Sequence, residues 1–134
     1  MTRSAIARFC AAPTAGFLLV IGVLHNVVGL SGLRRAIEGG ELPARFSDSH
    51  LVNWAFSGAA MSLLGVIVII LLPGLREGSR QAWRVALFIG VFLALFGAAG
   101  YLWVPTRPSV LIFLVFGALL AIPLVTWRRE YSKP

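Results

Sequence analysis

His25 is the side chain of this sequence best suited to chemistry at neutral pH, because an imidazole both gives and takes a proton near pH 7 and also ligates metals. Alone it could serve as a general acid or base, or as a single axial ligand. Asn26, Asn53, Trp54, Ser57 and Tyr101 fall at similar or shallower depth in neighbouring apolar segments, with His50 and Asp48 at the rim. Together they predict a small pocket around His25, polar at its base and aromatic at its mouth, in which these residues touch a small apolar ligand. The plain alternative is a neutral His25 that bonds a carbonyl or a serine across a helix interface and only fixes packing. His50, beside Asp48 at a segment boundary, reads equally well as a solvated histidine, and Asn53 and Tyr101 as interface residues.

Other chemistries find less support. A transition metal usually wants three or four His, Cys or carboxylate ligands close together, and the outer side offers two histidines, His25 and His50, with Asp48, so no metal site is expected. Paired haem ligation needs two close imidazoles, whereas His25 and His50 differ in depth by roughly 13 Å. A single-ligand haem through His25 stays open, and the cofactor is unknown. Cys10 is the one cysteine, which excludes an internal disulfide or a Cys-x-x-Cys pair, and its small apolar neighbours mark an ordinary buried residue.

The elements that must hold these residues are four stretches free of Lys, Arg, Asp and Glu: Phe9–Leu33, broken only by His25, then Leu51–Leu75, Val85–Thr106 and Pro108–Trp127. Each reaches the roughly 20 residues a helix needs to cross hydrocarbon. The chain is therefore expected to be all-α, a polytopic membrane protein folded as an antiparallel four-helix transmembrane bundle. One domain, 1–134, holds spans at about 13–33, 51–73, 84–105 and 108–127. Composition agrees: charged residues are 13% and mean hydropathy is +0.87, where a soluble domain needs about 25% charged residues to cover its surface. Arg3 and Arg8 resemble the start of a signal peptide, but the apolar run is too long and no small-x-small site closes it, so it is kept as a span.

Charge sets the topology. Arg3, Arg8, Arg76, Arg80, Arg84, Arg128, Arg129 and Lys133 lie on the side of the termini, against Arg34, Arg35, Arg45 and Arg107 on the other, so both termini are expected to be cytoplasmic at the inner (plasma) membrane. The net charge of +7 flanks apolar spans instead of interleaving along a polar face, which points to anionic lipid headgroups and not to nucleic acid. Trp54, Trp83, Trp103 and Trp127 fall near span ends, as interfacial indoles do. Pro73-Gly74 is expected to close the second span, Pro105 and Pro108 to bracket a tight turn, and Ser47, Asp48 or Ser49 to cap the second span. The loop from Arg34 to His50 begins as a helical extension and breaks at Gly39-Gly40 and Pro43. Small residues mark the packing faces: Gly22, His25 and Gly29 in the first span, Trp54, Gly58, Met61 and Gly65 in the second, Gly90, Gly97 and Gly100 in the third, and Gly117 in the fourth.

The run Gly22-Val-Leu-His25-Asn-Val-Val-Gly29-Leu, the Gly39-Gly40 loop, and Asn53-Trp54-Ala-Phe56-Ser-Gly58 followed by Leu64-Gly65 resemble a bacterial family of small four-helix membrane proteins catalogued as a domain of unknown function. The likeness spans most of the chain and implies the four-helix layout with His25 in the first helix; it implies no reaction. In layout alone the chain is similar to the styrene oxide isomerases, four-helix membrane enzymes that use a haem, without a match to their histidine region.

Three readings follow, and whether the protein is an enzyme stays open. It binds or transforms a small apolar molecule at His25; or it is an accessory or structural protein that packs with a membrane partner or with copies of itself; or, less favoured, it transports a small molecule. The last wants a carboxylate within a span, and all five acidic residues lie outside the spans.

Overall fold

A computed structural model describes residues 2–41 and 44–131, the side chains of residues 44–47 excepted, so Pro43, Lys133 and the Arg45 and Ser47 side chains lie outside the described residues. Four helices make up nearly all of it: α1, Arg3–Glu38; α2, Ala44–Glu77; α3, Arg80–Trp103; and α4, Leu111–Thr126, which follows a 3₁₀ turn at Pro108–Val110. Among the described residues there is no strand, and the four helical segments are long and apolar enough to cross a membrane. The fold class is all-α, that of a multi-pass membrane protein.

Helix ends differ from the sequence expectation where local hydrogen bonds outrun the apolar window. Upstream of the expected start at residue 13, α1 begins at Arg3, because Thr2 caps it by accepting a hydrogen bond from the Ala5 amide at 3.2 Å. Pro13 then lies inside a helix. The preceding π turn, Ala7–Ala11, adapts the backbone to a residue with no N–H. At the other end Gly40 adopts φ +74°, the Gly40 amide donates to Ile37 O at 3.0 Å and the Glu41 amide to Ala36 O at 2.9 Å. This paired Schellman arrangement stops the helix where Gly39-Gly40 was expected to break it.

Two expectations for α2 are corrected. Asp48 and Ser49 are not caps, since the helix already runs from Ala44, and both are exposed in its first turns. Pro73-Gly74 does not close it either: the helix continues through Pro73 to Glu77. Its stop is Gly78, at φ +85°, followed by the Ser79 amide donating to Gly74 O at 2.8 Å. A left-handed residue ends a helix outright, whereas a membrane helix tolerates a proline's one missing donor. Ser79 then caps α3 by accepting from the Ala82 amide at 3.3 Å.

The residues group into two compact units, one of residues up to Ala15 with those from Ile67 onward, the other Gly16–Val66. In the first, glycines let α3 and α4 approach backbone to backbone: a Cβ on Gly117 would lie 2.6 Å from Gly90 O, and one on Gly97 3.0 Å from Leu114 Cα. Ile89, Leu93, Phe113, Leu120 and Leu124 fill this unit's core with Ile6 and the free thiol of Cys10. Phe96 and Phe113 meet edge to face at 5.3 Å. The turn between α3 and α4 closes as expected around Pro105 and Pro108, with Arg107 N donating to Val104 O at 2.9 Å.

The second unit is a helical hairpin. Gly22 of α1 lies against Gly58 O and Ser62 N of α2, which a Cβ would meet at 2.7 and 2.8 Å, and Gly29 lies against the indole of Trp54. This antiparallel register joins the two small-residue faces read from the sequence, and Gly65 is buried as well.

Candidate functional site

His25 opens the second π turn of α1, His25–Gly29. A π turn adds a residue to the helical repeat and leaves a carbonyl without its ordinary donor; such turns occur often at functional sites. Here Trp54 supplies one, its Nε1 donating to His25 O at 2.9 Å. The same indole stacks on the imidazole, centroids 4.5 Å apart and planes within 6°. Ser57 Oγ lies 2.9 Å from His25 Nε2 and also donates to Trp54 O at 2.8 Å. Three and four residue steps put Trp54, Ser57 and Gly58 on one face of α2, and the absence of a side chain on Gly29 admits the indole.

This arrangement fixes the imidazole in one plane while leaving it only half buried. If the hydroxyl proton stays on Trp54 O, His25 donates from Nε2 and Nδ1 carries the lone pair; if the hydroxyl turns to Nε2, the roles reverse. Either tautomer can exchange a proton or a hydrogen bond with a molecule beside the ring. A serine within 2.9 Å of an imidazole also has the spacing of a nucleophile and its base. The ring's orienting partner is the Trp54 face instead of a carboxylate.

Asn26 packs its amide on Gly58, where a Cβ would come within 2.9 Å of Asn26 Nδ2. Its Oδ1 is buried without a hydrogen-bond partner. Asn26 also forms the deep end of a groove of about 420 Å³ that climbs α1 past Leu30 and Ser31 to Arg34, Arg35 and Glu38. The helical extension expected at Arg34, Arg35 and Glu38 is present, but the groove it lines was not foreseen. Its signal was present, since Asn26, Leu30, Arg34 and Glu38 recur every four residues.

The structure thus brings together His25, Asn26, Trp54 and Ser57 in one hairpin. Asn53 and His50 are exposed on α2 in the same unit. Tyr101 belongs to α3 in the other unit and is 37% exposed. Among the described residues no three His, Cys, Asp or Glu side chains converge as a metal site requires. A second polar cluster, whose arginines the sequence offered only as scattered charges facing lipid headgroups, lies where α3 begins and α4 ends: Arg80, Trp83, Arg84, Arg128, Arg129 and Tyr131 line a cavity of about 310 Å³.

The class these features define is an all-α, multi-pass membrane protein with a histidine, a tryptophan and a serine joined inside one helical hairpin. No protein-family model, characterised protein or solved structure matches the chain.

Proposed function

We propose that this protein binds a small, largely apolar molecule beside His25, with both termini cytoplasmic at the cell's inner membrane. The observation that carries the reading is the half-buried imidazole held in one orientation by the Trp54 stack and Ser57. An ionisable ring in a membrane span is expensive unless polar groups meet it, and a rigidly aimed, partly accessible one suits a bound partner better than a filler of space. The indole offers apolar contact area and the imidazole a hydrogen bond or a proton. The excess of basic residues on the side of the termini supports the orientation.

A second reading, an accessory membrane protein, is favoured by one observation: Trp54 Nε1, Ser57 Oγ and His25 Nε2 all find partners inside the hairpin, as a structural clamp requires. Purification in mild detergent, followed by native mass spectrometry and an absorption spectrum, separates the two. The ligand reading expects a retained small molecule that His25→Gln loses while the melting temperature stays close to wild type. A wild-type protein that carries nothing, or a His25→Gln protein that keeps its ligand and loses only stability, leaves the clamp.

A further inference from the structure

The cavity between the start of α3 and the end of α4 is the most strongly charged feature of the described residues. Its lining holds four arginines, two aromatic rings and no carboxylate. Arg80 and Arg84 are one turn apart on α3, where the first free amides of a 24-residue helix add partial positive charge. Arg128 and Arg129 follow α4 in a short 3₁₀ turn. The aromatic wall is fixed: Trp83 Nε1 donates to Leu124 O at 2.9 Å, and its ring stacks on Tyr131 at 6.5 Å. Tyr131 is 1% exposed. Glu130, the nearest acidic residue in the chain, lies 3.9 Å from Arg3 and is not part of the lining.

Guanidinium groups gathered around one cavity gain from a multivalent anion, and their planar forks match the oxygens of a phosphate. We infer that this cavity binds a phosphate-bearing anion, and that the phosphodiester of an anionic phospholipid is its source. The setting favours the lipid, because the cavity opens at the ends of two membrane-length helices beside the Trp83 indole, at the level where headgroups lie. Positive charge that served only to orient the chain would need no such convergence, and any arginine on that side would do.

Arg80 and Arg129 make further interactions of their own, so the exposed pair Arg84 and Arg128 is the one to change. The full chain, purified in detergent, is titrated with phosphatidylglycerol and separately with phosphatidylcholine, with bound lipid counted by native mass spectrometry. Wild type should prefer phosphatidylglycerol, and Arg84→Gln with Arg128→Gln should weaken that binding by about 10- to 30-fold, at roughly three- to fivefold per arginine. The charge-matched control, Arg8→Gln with Arg107→Gln, both exposed and outside the cavity, should change it by less than about threefold. If the glutamine pair fails to keep the wild-type helical signal, Arg84→Lys with Arg128→Lys retains the charge without the fork and should show an intermediate loss. Displacement of phosphatidylglycerol by inorganic phosphate at low millimolar concentration keeps the anion site and makes the free ion its ligand. Equal losses in the cavity and control pairs, or no preference of wild type for either anion over phosphatidylcholine, overturns the inference.

Discussion

Trp54 does two jobs that one substitution separates. Its ring face stacks on His25 and its Nε1 satisfies His25 O, so Trp54→Phe keeps an aromatic face and removes only the donor. The expected loss is about 0.5–1.5 kcal/mol, read as a lowered melting temperature in detergent, and an unchanged midpoint would show that the π turn needs no outside donor. Tyr131 gives a pH signature at the same scale. Burial pushes its phenol up from the ordinary value, opposed by the nearby Arg3 and aided by Glu130 and Cys10. Below about pH 10 the phenol is protonated in folded and unfolded chains alike, and the shift is silent. Above that the unfolded chain ionises first, so stability falls as pH rises toward the folded value. Tyr131→Phe should remove that alkaline fall at little cost near neutrality, because its hydroxyl has no hydrogen-bond partner to lose. Melting wild type and variant side by side at pH 8 and pH 10.5 tests the sign.

At the scale of elements, the glycines decide which helix faces which. Gly58 accommodates the Asn26 amide and Gly117 the backbone of α3, and in both places the neighbour is close packed. Gly58→Leu and Gly117→Leu should each overpack their interface at about 1–3 kcal/mol, while Leu71→Ile stays within about 1 kcal/mol. Equal melting temperatures for all three would mean that the packing faces are wrongly drawn. Gly78 is a different case, since its φ of +85° is the reason that α2 ends. Gly78→Ala places a Cβ in the left-handed region, against the Arg3 guanidinium, and should cost about 1–2 kcal/mol. Gly40, at φ +74° with no described atom within 4 Å of an added Cβ, should show the conformational cost without the Arg3 clash, so the difference between the two alanine variants isolates the Arg3 contact.

For the whole molecule the testable quantity is orientation. In a Cys10→Ala background, a cysteine at exposed Ser49 should react with an impermeant maleimide added outside intact cells, and one at exposed Ser79 only after the membrane is opened. Reversed labelling would turn the protein over and move the hairpin's His25 end to the cytoplasmic half. The lipid titration of the arginine cavity in detergent would read the same in either orientation.

Much of this protein was legible in the chain because the bilayer is so restrictive a solvent. Uncharged runs of about 20 residues must be helices, since no other single segment satisfies its own backbone in hydrocarbon, and that alone settled the all-α class and the existence of four spans. The glycine spacing also named the facing surfaces of the hairpin, with Gly22 and Gly29 meeting Ser62 and Trp54. Helix ends were less legible, because Thr2 and Gly78 act through one hydrogen bond or one dihedral angle, which an apolar window does not register. Residues far apart in sequence carried the rest. Nothing in the spacing of His25, Trp54 and Ser57 says that an indole will stack on the imidazole and donate to its carbonyl, and nothing in the scattered arginines says that Arg84 and Arg128 share a cavity. Those contacts depend on the rotation and register of one helix against another, which side-chain shape sets only once the chain has folded.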